Sequence, residues 1–404
     1  RPSGVRLAPR GYTMSRFESV RSRRRFLAET AGAAVALGAP WVVRAAGPLE
    51  LKFRTIKDPD GWYPSLRLKG DWLVLEVTDG VLSGYGEASQ SNDDERCKQA
   101  ATEIFAKHYR DFTPSLASLA AKEKEIAALT TDLFTQAAYS GLNQALYDLL
   151  AKREQVPVWR LFRDKPAFEA LPLYTTINRA LERRTQDEYD EVVGELKARG
   201  FKIYKCAPFE AVDNAERAIE KAAAGLATLT HLREKFPDLR VRVDFHERFQ
   251  PHDFYELIPR FEKLDIDWLE EPFRVGPTYS ELRRKTRLRL SGGELFWGRQ
   301  RFEEIAVNTW CDVIMPDVKY VGGFGPLLDV LVMGKGRIEI SPHNPSGPIS
   351  TAASMHAACV HPETVRALEY SFDRRQTRRA SGEVIENGML RLSDKPGWGV
   401  APPA

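Results

Sequence analysis

The feature that most constrains this chain is a regular recurrence of charged residues at the ends of short apolar runs. Asp244, Glu270, Glu294, Asp317, His343 and Glu369 stand 26, 24, 23, 26 and 26 residues apart. Each closes or lies within a stretch of strand-like composition: "RVRVDFH", "DWLEEP", "LRLSGGE", "CDVIMPD", "RIEISPH" and "ALEYSF". Two earlier stretches of the same kind, "LPLYTTIN" and "FKIYKCAP", bring the count to eight, and a helix-length segment follows each. Eight such units are the number a (β/α)8-type barrel needs. An open doubly wound sheet fits less well, because no G-x-G-x-x-G phosphate turn follows the first strand. In a barrel all strand carboxyl ends surround one mouth, so the recurring polar residues form a ring there.

The stretch "VRVDFHERF" sharpens the point. Alternation sets Val241 and Val243 on one side of a strand and Arg242, Asp244 and His246 on the other. It places a carboxylate and an imidazole together at a strand end.

Ahead of the barrel, "LKFRTI" and "WLVLEVTDGVLSGYGEAS" read as strands, and helical patterns cover about 93–110, 115–131 and 134–152. The chain therefore divides into an α+β unit at 48–168, a barrel at 169–372 and a carboxyl-terminal segment at 373–404. The first 46 residues are an address rather than a fold. "SRRRFL", then "AGAAVALGAPWVV" and Ala45–Ala46, form a twin-arginine type of export signal. A periplasmic or exported protein is expected, or a cytoplasmic one if the signal is not used.

Charge narrows the function classes. The formal charge is +3, but residues 1–46 hold nine Arg and two Glu, so the body carries 50 basic against 54 acidic side chains. That balance gives no support for nucleic-acid binding. No run of about 18 apolar residues occurs, so the mature form is not expected to insert in a membrane. Cys97, Cys206, Cys311 and Cys359 lack C-x-x-C spacing, which argues against zinc and leaves two disulfides or four buried thiols open.

The ring carries the chemistry. Asp244, Glu270 and Glu294 end consecutive strands, and three converging carboxylates repel unless a cation joins them. All-oxygen ligation favours Mg2+ over zinc. Glu271, next to Glu270, points into the barrel wall. Asp317 and His343 end the next two strands, where a carboxylate fixes the imidazole tautomer and raises its basicity, as a general base requires.

The ordered set "YKCAPF", "VDFHERF", "WLEEPF", "SGGE", "IMPDVKYVGG", "SPHNPSGPIS" and "LEYSF" resembles the mandelate racemase subgroup of the enolase superfamily, over about residues 48–400. Within it, "DFH" and "PHNPSGPIS" look most like the acid-sugar dehydratases of galactonate and mannonate dehydratase type. "GYGEAS" and "NGMLRLSDKPGWGV" fit that family's capping domain, so the resemblance implies an amino-terminal α+β cap completed by the carboxyl-terminal segment.

The resemblance also implies roles. Asp244, Glu270 and Glu294 would hold one Mg2+ per subunit, chelated by a sugar-acid carboxylate. His343, backed by Asp317, would take the proton α to that carboxylate. His246 would assist departure of the 3-hydroxyl, and Glu369 would hydrogen-bond to the substrate carboxylate or enediolate. Lys205 would offer it positive charge, Asn344 and Ser346 would meet sugar hydroxyls, and Trp62 and Tyr63, on one of two cap loops over the mouth, would exclude water. A homo-oligomer is expected, as is common in the family.

One departure separates reactions. Mandelate racemase carries K-x-K on its second barrel strand, whereas here Lys205 is followed by Cys206 and Ala207. A single base favours elimination over 1,1-proton transfer. The expectation is a Mg2+-dependent sugar-acid dehydratase giving a 2-keto-3-deoxy acid. An epimerase, racemase or cycloisomerase of the same scaffold is the second reading, and an exported sugar-acid-binding protein without turnover the third.

Overall fold

The computed structural model describes residues 47–402 apart from 57–61, 64–67, 70, 90–92, 128–131, 213–217 and 373–380. The export-signal reading lies outside the described residues. So do the side chains of Trp62 and Tyr63, of which only the backbone is described.

Two glycines decide how the amino-terminal unit packs. Its strands are β1 (Glu50–Ile56), a short hairpin of β2 (Trp62–Tyr63) and β3 (Leu68–Lys69), β4 (Trp72–Thr78) and β5 (Ser83–Glu87); β1, β4 and β5 form an antiparallel sheet in that order. The helices are α1 (Asp94–His108), α2 (Leu116–Ile126) and α3 (Leu133–Arg153). A Cβ on Gly84 would lie 2.0 Å from the Ala145 carbonyl oxygen, and one on Gly86 1.9 Å from that of Gly141. Only glycine lets β5 lie directly on the backbone of α3. Pressed between sheet and barrel, α3 is buried throughout Ala137–Ala151.

The barrel strands are β6 (Ala170–Thr176), β7 (Ile203–Cys206), β8 (Arg240–Asp244), β9 (Ile266–Glu270), β10 (Leu290–Gly292), β11 (Val313–Ile314), β12 (Glu339–Ile340) and β13 (Leu368–Ser371). All pair in parallel with their sequence neighbours from β6 to β12, and β13 returns to pair with β6. The β12–β13 seam has no ladder; Ile340 N donates to Thr364 O at 3.0 Å across it. Between the strands run α4 (Gln186–Ala198), α5 (Ala218–Lys235), α6 (Pro251–Phe261), α7 (Tyr279–Lys285), α8 (Gly298–Asn308), α9 (Phe324–Gly334) and α10 (Pro348–Val360). The carboxyl-terminal hairpin, β14 (Ile385–Glu386) and β15 (Met389–Arg391), adds antiparallel to β6. The chain then returns to the amino-terminal unit, where Trp398 N donates to Asp148 Oδ1 at 2.8 Å and its indole to Tyr85 O at 2.9 Å.

Polar groups of the cap plug the first turns of two barrel helices. The side-chain oxygen of Asn143 accepts from Phe324 N at 2.8 Å at the start of α9. The Glu87 carboxylate accepts from Gly347 N at 2.8 Å and Ser350 N at 3.2 Å at the start of α10. A carboxylate at a helix amino terminus satisfies orphan donors and meets the positive end of the dipole. These helices follow the strands that lead to Asp317 and His343, so the cap bears on the position of both.

All four cysteines are free and buried, which settles the choice left open by their spacing. Burial pushes Cys97 and Cys206 up to about 12. Among the described residues no helix is long and apolar enough to cross a membrane.

Glu87→Ala strands two buried N–H groups and is expected to cost roughly 2–4 kcal/mol in denaturant unfolding; Glu87→Gln, which keeps an acceptor oxygen, loses less. His356 on α10 is buried, and its Nδ1 accepts from Trp159 N at 3.2 Å, which requires a neutral ring. Burial accordingly pushes its pKa down to about 3. The unfolded chain takes up this proton below about 6.5 and the folded chain does not until about 3, so stability is lost as pH falls through that window. Between pH ~7.5 and ~5 the wild type should lose about 2 kcal/mol more than His356→Gln, measured by urea titration.

Candidate active site

Parallel register brings the ring together. Asp244 and Glu270 are direct partners across β8 and β9, and Asp317 and His343 form an isolated parallel bridge just beyond β11 and β12. Glu294 sits past β10 on the turn Gly293–Glu294. Glu271 holds that turn, its Oε1 accepting from Gly293 N at 2.6 Å. Burial, then the charge of Glu294, pushes Glu271 up to about 8.

The ligand oxygens of Asp244, Glu270 and Glu294 all lie within 4.8 Å of one another, the one such group of potential metal ligands among the described residues. Lys205 from β7 enters this cluster. Its ammonium contacts Glu270 Oε1, lies 3.0 Å from Glu369 Oε1 and 3.3 Å from Asp244 Oδ2, and the residue is 1% exposed. Burial opposes the Lys205 charge, but Glu270, Glu369 and Asp244 outweigh it and hold its pKa well above the ordinary lysine value. Burial and the charge of Asp244 raise Glu270 well above the carboxylate range. At Asp244 burial acts in the same sense, yet His246 and Lys205 overcome it and keep the carboxyl ionised.

His343 Nδ1 lies 2.8 Å from Asp317 Oδ2, and its Nε2 lies 3.1 Å from Glu294 Oε2. The Asp317 contact suits a proton on Nδ1, and Nε2 is the nitrogen that faces the carboxylate cluster. Burial disfavours the imidazolium, but Glu294, Glu369 and Asp317 together raise the pKa. Asp317 is itself fixed by Lys319 N, which donates to its Oδ1 at 2.7 Å.

His246 reaches the ring by a route other than strand alternation. β8 ends at Asp244, and His246 and Glu247 adopt left-handed φ values of 48° and 55°. This turn, not the two-residue strand period, puts His246 Nε2 3.1 Å from Asp244 Oδ2. Its Nδ1 lies 2.6 Å from Glu210 Oε1, and Glu210 is also bridged by Arg248. Burial disfavours charge on His246, but Asp244 and Glu210 hold its pKa well above the usual value.

Other sequence expectations fare differently. Glu369 is fully buried, held through Oε2 by Tyr174 OH and Asn344 N, both at 3.1 Å. Asn344, expected to meet sugar hydroxyls, spends its amide hydrogens inside the protein, donating to Thr351 Oγ1 at 2.8 Å and Glu369 O at 3.0 Å. Ser346 is buried beside it. Sequence reasoning missed Glu210, Arg248, Trp268 and Tyr174; the last two are the third and fifth residues of β9 and β6 and face inward.

The donor set suits a hard divalent cation. Five acidic side chains, Asp244, Glu270, Glu294, Asp317 and Glu369, meet there around one ammonium and two imidazoles, so the site is richer in oxygen donors than in internal cations. Glu294 Oε2 is buried without a hydrogen bond of adequate geometry. All-carboxylate donors fit Mg2+ better than zinc. A cavity of about 180 Å3 lined by His356, Leu390 and Trp398 lies elsewhere, under the carboxyl-terminal segment, and contains none of these groups.

A barrel capped in this way, with acids on three consecutive strand ends and a His–Asp pair on the next two, defines an enzyme scaffold. Residues 188–403 match the model of the enolase C-terminal domain-like family, and residues 67–162 that of the mandelate racemase / muconate lactonizing enzyme N-terminal domain. The chain belongs to the enolase superfamily, in its mandelate racemase / muconate lactonizing enzyme family. It is 28% identical over 284 residues to a D-galactonate dehydratase of Verminephrobacter eiseniae, covering 65% of this chain and 70% of the relative. A D-galactonate dehydratase of Ralstonia pickettii is 25% identical over 358 residues, 83% and 89% of the two chains. Among solved structures, a mandelate racemase/muconate lactonizing enzyme-like protein from Roseovarius sp. TM1035 superposes with a TM-score of 0.77 at 20% identity, over 88% of this chain and 93% of that one. An enolase from Agrobacterium radiobacter with bound sodium and L-malate gives 0.72 at 22% identity, over 88% and 92%.

Removing Lys205 tests the electrostatics of the cluster. Lys205→Met leaves buried carboxylates without their internal cation and should lower stability by about 3–5 kcal/mol in metal-free buffer. Millimolar Mg2+ should recover more stability in the variant than it adds to the wild type, read as the shift in thermal midpoint. An equal shift in both would show that the ammonium and the cation do not share the carboxylates.

Proposed function

We propose that the protein is a Mg2+-dependent dehydratase of a sugar acid, abstracting the proton α to the carboxylate and expelling the 3-hydroxyl as water. The observation that carries this reading is the meeting, at one barrel mouth, of three metal-type carboxylates with a His343–Asp317 pair whose Nε2 faces them. The D-galactonate dehydratases among its relatives support the substrate class.

Asp244, Glu270 and Glu294 would hold the cation, which when bound supplies Lewis-acid stabilisation of charge developing on the substrate carboxylate. Every other step belongs to side chains. His343 Nε2 accepts the α-proton while Asp317 keeps the ring oriented and stabilises the imidazolium that forms. Lys205 places positive charge beside the carboxylate as it gains electron density, a term that grows in a dry site. His246, charged between Glu210 and Asp244, gives its proton to the departing 3-hydroxyl. The C2–H and C3–O bonds break, a C2–C3 double bond forms, and the resulting enol returns to the 2-keto-3-deoxy acid.

Two features favour elimination over 1,1-proton transfer. Ala207 occupies the place of a second lysine, and Cys206, its thiol raised to about 12 by burial, is no substitute base. His246 stands ready as an acid for the departing hydroxyl, a proton that elimination needs at oxygen.

The test is a panel of aldonic and aldaric acids, beginning with D-galactonate, assayed with Mg2+ for semicarbazide-reactive 2-keto-3-deoxy product. Turnover should vanish with EDTA and return with Mg2+. His343→Asn should lower kcat by roughly 10³-fold. Exchange of the α-proton with deuterated water, without loss of water from any acid, would replace dehydration with the epimerase reading.

A further inference from the structure

Beneath the carboxylate ring the barrel interior holds a cation of its own. Tyr174, Trp268, Val313, Met315 and Ala367 form a buried cluster apart from the main core. Arg242, 3% exposed, lies among them with its guanidinium carbon 3.5 Å from the Trp268 ring centroid and 4.1 Å from that of Tyr174. Its Nε donates to Asp267 Oδ2 at 2.8 Å. The two rings meet edge to face with centroids 5.6 Å apart. Such a stack, desolvated and hydrogen-bonded, fixes both aromatic planes.

Each ring directs its polar hydrogen at the ring of acids. Trp268 Nε1 donates to Glu270 Oε2 at 3.1 Å, and Tyr174 OH to Glu369 Oε2 at 3.1 Å. In both acids the other oxygen, Oε1, contacts Lys205. One oxygen of each carboxylate is thus anchored to the barrel floor and the other is offered to the mouth. The terminal torsion of a Glu is otherwise broad, so an unanchored carboxylate loses that freedom when it takes a ligand. The indole N–H is a donor only and cannot reverse the arrangement.

We infer that Trp268 is a positioning residue for the cation site: its N–H, in a plane clamped by Arg242 and Tyr174, turns Glu270 so that a single oxygen is presented. The inference rests on the reading of Asp244, Glu270 and Glu294 as metal ligands. Tyr174 performs the same service for Glu369, which is not one of the three. The stack therefore contains its own control.

The experiment is titration of metal-free protein with Mn2+ alone, following the electron paramagnetic resonance signal of the free ion. Trp268→Phe keeps an aromatic plane, loses the donor, and should weaken Mn2+ binding ~10-fold or more. Tyr174→Phe should stay within about twofold of the wild type. Unchanged affinity in Trp268→Phe overturns the inference, and so does an equal loss in both variants, which would mark the stack as general support. A wild type that binds no Mn2+ would instead overturn the metal reading beneath it. If Trp268→Phe does not fold, wild-type protein labelled with 5-fluorotryptophan decides: a 19F resonance should shift on addition of Mg2+, and constancy of all of them overturns the inference.

Discussion

The barrel mouth is arranged around one buried ammonium. Lys205 contacts three buried carboxylates that would otherwise repel, and it does so from the strand beside β8. Burying any one of these charges alone would cost several kcal/mol. Together they form a network that still carries excess negative charge, and this is the property a divalent cation needs. The same surroundings raise the basicity of His343 and keep Asp244 ionised.

Described residues of the cap bear on the barrel mouth through the barrel helices. Asn143 and Glu87 close the first turns of α9 and α10, and Ser140 Oγ accepts from Gly322 N at 3.1 Å on the loop leaving Asp317. The strand ends bearing Asp317 and His343 are thereby tied to α3 and β5. The close approach of Gly84 and Gly86 to α3 sets where those ties fall. A substitution deep in the cap core can in this way move the His343–Asp317 pair in the barrel.

Much of this was legible in the sequence because a barrel repeats. Once each unit is about 25 residues long, a polar residue at each strand end has one place to go, and the carboxylates and the His343–Asp317 pair could be named from spacing. His246 was placed beside Asp244 for the wrong reason: alternation predicted the contact, but a left-handed turn makes it. Glu210 and Arg248 were invisible because their contacts join loops after different strands, and no pattern within either loop marks them. Trp268 and Tyr174 carried a face but not a partner, since alternation says which residues point inward and not which atoms meet. Asn344 follows the proposed base and looked free for substrate; only the fold shows its amide committed to Thr351 and Glu369.

Lys205 and a divalent cation would share the carboxylates of Asp244 and Glu270. The most direct measurement is a crystal structure of the protein grown with Mg2+. The account predicts octahedral density with oxygens of Asp244, Glu270 and Glu294 at about 2.0–2.1 Å, and the Lys205 ammonium withdrawn from Glu270. Density absent at millimolar Mg2+, with Lys205 still against Asp244 and Glu270, would contradict it.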